Sequence, residues 1–97
     1  MKKVNVKELV KDMGLPEETF FLGYSIHLKE SDEFLLNYEN KADVINMWWT
    51  TKPEIAKHFQ SLNKAEKTRN KIKAEAKVVW LFDTGLQIVA TQPENYT

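Results

Sequence analysis

Residues 77–92, KVVWLFDTGLQIVATQ, decide the fold. The run Val78–Phe82 is apolar at every position, which is typical of a strand that is covered on both faces. Asp83–Gly85 predicts a tight turn, in which Gly85 supplies the residue with positive φ. The residues after the turn alternate again and return as a partner strand. The segment therefore predicts an antiparallel hairpin whose first strand is central in a sheet.

A second pair of strands is predicted earlier in the chain. From Phe20 to Leu28 the larger apolar side chains fall on every second position, which is the period of a half-buried strand. Lys29–Asp32 is typical of a turn, and alternation resumes from Phe34 to Tyr38. These segments predict two antiparallel strands of a meander.

The segment Val44–Thr50 admits two interpretations. As a strand, it places the even-numbered residues on one face and the odd-numbered residues on the other. The alternative is a helix capped by Asn40 with Asp43 at N3. Its apolar stripe would contain Ala42, Ile45, Trp48 and Trp49. The β-branched and aromatic content favours the strand, so the sheet is expected to have four or five strands.

Two helical regions complete the predicted architecture. Residues 5–13 form a short N-terminal helix with Asn5 as its cap. A second helix begins at Pro53, a residue tolerated in a first turn, and restarts at Ser61 or Asn63. The fold class is therefore α+β, with helices packed on one face of an antiparallel sheet of four or five strands.

Length and composition indicate one small domain. A chain of 97 residues has room for a single core. We expect residues 1–92 to form one domain and residues 93–97 to be a disordered tail. The absence of cysteine excludes a disulfide framework and suits a reducing compartment. The basic N-terminus lacks the apolar run of a signal peptide, and Val78–Phe82 is too short to span a membrane, so a soluble, cytoplasmic protein is expected.

The search for catalytic chemistry yields one short motif. Asp83–Gly85 after an apolar strand resembles the Asp-Thr-Gly signature of aspartic proteases, but that family has Ala or Ser where this chain has Leu86. His27 and His58 do not have the spacing of a metal-binding pair. We therefore predict a protein that is not an enzyme and that has no cofactor and no metal site.

The strongest candidate site is the pair Trp48 and Trp49. Adjacent residues of a strand point to opposite faces, so one ring is expected to enter the core and the other to meet solvent, a ligand or a partner. Tryptophan is enriched at the energetic centres of protein interfaces. Both residues are therefore predicted to bind a partner, and burial of both rings under a helix or loop is the alternative.

Two further candidate sites lie later in the chain. In a helix, Lys64, Lys67 and Lys71 share one face and could contact phosphates, although three such contacts describe a weak nucleic-acid binder. Solvation of an amphipathic helix is the simpler interpretation of these lysines. Arg69 falls in the apolar stripe of the same helix, where it either snorkels past the core edge or lines a ligand pocket with Trp80.

Part of the chain resembles a loose class of small proteins. From Tyr24 to Val89 it shows two strands, a tryptophan-containing segment and a closing strand, with Pro-x-x-Ala-x-x-Phe-x-Ser-x-x-x-Ala between them, which begins at Pro53 and ends at Ala65. This arrangement is similar to that of uncharacterised proteins carried by phages, integron cassettes and other mobile genetic elements. The resemblance implies a small module that binds a host or accessory protein.

The leading hypothesis is a non-enzymatic protein-interaction module with an unidentified protein partner or with itself as partner. Besides the tryptophan pair, it draws on an uneven charge distribution, since acids concentrate between Glu17 and Asp43 and bases between Lys64 and Lys77. Weak nucleic-acid binding through the basic helix is the first alternative. A small-molecule pocket between sheet and helices is the second, and no membrane partner is expected.

Overall fold

The computed structural model describes residues 6–72 and 75–92. The elements in chain order are α1 (Val6–Asp12), β1 (Phe20–Leu28), β2 (Glu33–Lys41), β3 (Val44–Thr50), a 3-10 turn (Pro53–Ile55), α2 (Leu62–Lys71), β4 (Ala76–Asp83) and β5 (Ile88–Thr91). The predicted α+β class and the short N-terminal helix are confirmed. The predicted cap Asn5 and the predicted tail, residues 93–97, lie outside the described residues.

The strands form one antiparallel sheet in the order β3-β2-β1-β4-β5. The segment Val44–Thr50 is a strand, so the sheet has five strands, as the strand interpretation predicted. At the centre, β1 and β4 pair from Phe20↔Asp83 to Leu28↔Ala76. Every residue of Val78–Phe82 is buried, which confirms that this apolar run is a covered central strand.

The two faces of the sheet are covered differently. On one face, α2 packs over a cluster around Ile26 and Val78, and α1 packs over a cluster around Trp80 and Phe82. Both helices therefore lie on the same face, as predicted. Val79 points to the opposite face, which we call the rear face, where it joins a third cluster with Phe34, Ala56 and Leu81.

The prediction of a helix that begins at Pro53 is wrong for the residues before α2. Pro53–Ile55 makes a single 3-10 turn, and Ala56 after it is extended. The helix α2 begins only at Leu62, where the Ser61 hydroxyl accepts a hydrogen bond from the Lys64 backbone N–H at 3.4 Å. The apolar spacing between the two segments reflects burial in two different clusters and not one helical stripe.

Residues 57–59 fill a gap between two strands of the sheet. β1 and β2 pair at His27↔Phe34 and Leu28↔Glu33 and then separate. In the gap, the Lys57 N–H donates to the Leu35 carbonyl at 2.8 Å. Phe59 and Tyr24 exchange two backbone hydrogen bonds, at 2.7 and 2.8 Å. These bonds satisfy backbone groups that the separated strands would otherwise leave unpaired.

The chain crosses the sheet through this gap. Ala56 packs in the cluster of the rear face, whereas Phe59 packs in the cluster beneath α2. Gly23 permits the passage, because a Cβ atom there would lie 2.7 Å from the Phe59 carbonyl oxygen. Its φ of +125° is also disfavoured for any residue with a side chain. The crossing lets the chain leave β3 on one face and place α2 on the other.

Beyond the gap, β2 and β3 continue as a two-stranded arm, residues 37–48. The arm ends in a two-residue turn formed by Ala42 and Asp43, with φ values of 46° and 67°. Positive φ at both positions defines a type I′ turn, whose twist matches that of the two strands. The arm therefore holds a regular hairpin at the edge of the sheet.

Candidate protein-interaction surface

The strand β3 forms one edge of the sheet. It pairs with β2 along one side, and no strand of residues 6–72 or 75–92 pairs with its other side. Its sequence, VINMWWT, contains no charged residue. Edge strands of soluble proteins commonly carry a charged side chain or a proline that prevents pairing with another chain. The strand β3 has neither of these protections within Val44–Thr50.

The two candidate tryptophans lie on opposite faces of β3. Trp49 pairs with Leu35 and packs against the cluster beneath α2, where it is half-buried. Trp48 pairs with Asn37, points to the rear face and is 45% exposed. The structure thus makes Trp48 the accessible ring and Trp49 mainly a packing residue, while partner binding by either one stays a prediction.

Exposed apolar side chains concentrate on β3. Val44, with 56% of its surface exposed, lies on the same face as Trp48, and Ile45, at 37%, lies on the other. The remaining large exposed apolar residues of the described chain, Phe20, Ile55 and Leu86, lie in three different segments. Because three of the six large exposed apolar residues of the described chain lie on this one strand, the arm is the best candidate for an interaction site.

The three lysines proposed for nucleic-acid binding are exposed on α2. Lys64, Lys67 and Lys71 make no ion pair within the described chain. They project from the helix face opposite to Ala65, which is fully buried against the sheet. This arrangement fits a solvated helix face and leaves phosphate binding as a prediction.

Arg69 and Trp80 have different neighbours in the structure. Arg69 Nε donates a hydrogen bond to the Ala76 carbonyl at 3.0 Å, so the side chain ties the end of α2 to the start of β4. Trp80 is buried, with its ring centroid 5.6 Å from that of Phe21 and 5.1 Å from that of Tyr24. Burial in this aromatic cluster raises the pKa of Tyr24 above its usual value. The proposed Arg69–Trp80 pocket therefore remains a prediction that these contacts do not support.

One concavity was missed by the sequence reasoning. It has a volume of about 680 Å³ and lies between α1 and the loop that follows it. Val10 and Leu15 contribute apolar surface, Lys11 and Glu17 contribute charge, and the Thr19 hydroxyl is buried without a hydrogen bond. Sequence periodicity offers no signal for a groove formed by one helix and an irregular loop.

The two histidines serve local structure. His27 Nε2 lies 2.8 Å from Asp32 Oδ1 in the turn between β1 and β2, and His58 Nε2 lies 3.1 Å from the Pro53 carbonyl oxygen. Within the described residues, no group of three or more His, Cys, Asp or Glu side chains is placed to hold a metal ion. No helix in that part of the chain is both long enough and apolar enough to cross a membrane.

Comparison with known proteins identifies no relative of this chain. No protein-family model matches the chain, and no curated protein or solved structure shows significant similarity to it. The candidate surface is therefore defined by this structure alone: an uncharged edge strand with Trp48 and Val44 exposed on one side.

Proposed function

We propose that this protein is a non-enzymatic protein-interaction module that binds its partner through the edge strand β3. The observation that carries the proposal is the combination of an unprotected edge with a half-exposed tryptophan, Trp48. The partner adds an extended segment to β3, and main-chain hydrogen bonds supply affinity. Side chains on the rear face, above all Trp48 and Val44, supply specificity.

The geometry of the arm supports this mode of binding. Residues 37–48 form a hairpin closed by the Ala42–Asp43 turn, so β3 is already a strand in the single chain. A preformed strand lowers the conformational entropy lost on association. The resemblance of the chain to small mobile-element proteins is consistent with a module of this kind that acts in the cytoplasm on a host or accessory protein.

The proposal is tested by affinity capture with the tagged protein and two alanine variants. Trp48→Ala removes the exposed ring of β3, and Phe20→Ala is the matched control, because Phe20 is 72% exposed but lies at the start of β1. We expect a discrete protein partner that is retained by the parent and by Phe20→Ala and lost with Trp48→Ala. Equal capture by all three proteins would contradict the proposal.

Nuclease treatment distinguishes the nucleic-acid alternative in the same experiment. If the captured material disappears with nuclease, binding involves nucleic acid, and the lysine face of α2 becomes the site to change. Lys64→Glu and Lys67→Glu would then lower binding, and the loss would be largest at low salt. A partner that survives nuclease and these two substitutions favours the edge strand.

A further inference from the structure

The outer edge of β3 is complementary to itself, and we infer that two copies of this chain form a symmetric dimer by antiparallel pairing of their β3 strands. The inference rests on the proposed function, because it names the first partner of the same edge. The twofold axis passes beside Met47, the middle residue of Val44–Thr50. Two sheets then join into one continuous sheet with a closed, isologous interface.

The two-residue turn of the arm determines which backbone groups of β3 point outward. Lys41 and Val44 flank this turn, so they are the hydrogen-bonded pair that closes the hairpin. Hydrogen-bonded and non-hydrogen-bonded pairs alternate along an antiparallel ladder. The N–H and C=O groups of Ile45, Met47 and Trp49 therefore point away from β2 and towards an added strand.

Self-pairing about Met47 uses every residue of the strand. Ile45 lies opposite the partner's Trp49, and Met47 lies opposite the partner's Met47. In this register the outward-pointing groups of the two strands meet, which is the condition for a regular ladder. Opposite residues also belong to the same face, so the helices of both copies lie on one side of the joined sheet.

Charge favours a second copy as the occupant. The chain has a formal net charge of zero and β3 has no charged residue, so two copies meet without repulsion.

The same register covers the exposed tryptophan. Asn46 lies opposite the partner's Trp48, and the two Trp48 side chains are diagonal neighbours on the rear face. Diagonal neighbours in an antiparallel ladder lie about 7–8 Å apart, within reach of aromatic rings. Pairing thus buries part of the ring that is 45% exposed in the single chain.

Sedimentation velocity over a range of concentrations tests the dimer with a pair of variants at one position. Ile45→Pro removes an outward-pointing N–H, a change that edge strands tolerate when that group faces solvent. Ile45→Val keeps the N–H and is the matched control. We expect Ile45→Pro to raise the dissociation constant of the dimer about tenfold or more. Ile45→Val should leave it almost unchanged.

A charge-pairing experiment separates loss of pairing from loss of folding. Asn46→Lys and Asn46→Asp each place two like charges at diagonal positions across the axis, so each variant alone should dimerise more weakly than the parent. An equimolar mixture should recover association as a heterodimer, which unfolded variants could not do.

Two results would overturn the inference: a parent protein that is monomeric at every concentration, or a dimer that none of these substitutions affects. If the parent is monomeric but Trp48-dependent capture of another protein persists, only self-pairing fails and the proposed function stands. If the parent dimerises through β3 but captures no other protein, the edge binds only a second copy of this chain.

Discussion

The central strand β4 and the edge strand β3 have similar compositions and opposite surroundings. Val78–Phe82 is apolar and buried on both faces, between the helices and the rear-face cluster. Val44–Thr50 is almost as apolar, but Val44, Ile45 and Trp48 are exposed. The difference shows that apolar content identifies a strand, whereas the elements stacked on it decide whether it becomes core or surface.

The largest expected contrast is between one aromatic residue in each strand. Phe82→Ala should lower the free energy of unfolding by about 3–5 kcal/mol, because it leaves a cavity in a fully buried cluster. Trp48→Ala should lower it by less than about 1 kcal/mol, since much of that ring already contacts water. Urea denaturation at low protein concentration, where association contributes nothing, measures both values. Equal losses would show that the arm is part of the core.

The crossing of the chain between β1 and β2 provides the next contrast. Gly23→Ala should lower the free energy of unfolding by about 2–4 kcal/mol, because it combines a positive φ with a contact of its Cβ against the Phe59 carbonyl. Gly85→Ala is the control, since Gly85 also has positive φ but has no atom within 4 Å of the new Cβ. It should cost about 1–2 kcal/mol. If thermal unfolding gives the same loss for both variants, residues 57–59 do not occupy the gap.

Replacing each of two serines by alanine should change the free energy of unfolding in opposite directions. Ser25 is fully buried on β1, and its hydroxyl has no hydrogen-bond partner. Ser25→Ala should therefore raise the free energy of unfolding by about 1 kcal/mol, because the desolvated hydroxyl is removed. Ser61→Ala should lower it by about 1 kcal/mol, because α2 loses its N-cap. A loss of stability in the Ser25 variant would indicate an internal water that bonds this hydroxyl.

The smallest effect is expected at the tip of the arm. Ala42 has a φ of 46°, a conformation that asparagine adopts more readily than alanine and that β-branched residues disfavour. Ala42→Asn should raise the free energy of unfolding by about 0.5 kcal/mol, and Ala42→Val should lower it by about 1 kcal/mol. Amide hydrogen exchange along residues 37–48 checks both changes locally. Identical exchange in the two variants would argue against the type I′ turn.

Much of the fold was predictable because its periodicity is local. The alternation from Phe20 to Leu28 and the apolar run Val78–Phe82 each identified a strand. The β-branched and aromatic content of Val44–Thr50 favoured a strand over a helix, and the structure shows a strand in all three segments. Ser61 was one of two caps considered for α2, and the structure selects it. These features depend on residues a few positions apart, so they can be read without the rest of the molecule.

The error at Pro53 has a non-local cause. A proline, an acid and a later apolar stripe are typical of a helix start, but Phe59 is held extended by backbone hydrogen bonds to Tyr24. Those bonds form because β1 and β2 separate. The residues near Pro53 carry no sequence signal of that separation. The suggested Arg69–Trp80 pocket also depended on non-local packing. In the structure α1 packs over Trp80, whereas α2 carries Arg69.

The sequence by itself determined the class of the fold and four of its five strands, because side-chain alternation and turn chemistry act over a few residues. For Val44–Thr50 it favoured a strand, in which Trp48 and Trp49 point to opposite faces, over a helix, and the structure decided between the two. Only the tertiary structure decided which tryptophan is accessible and which strand lies at an edge. Those properties follow from strand order, from the passage of residues 57–59 through the sheet and from the placement of both helices on one face. Such choices are made by contacts between distant segments, and burial of apolar surface selects the arrangement that covers most of it.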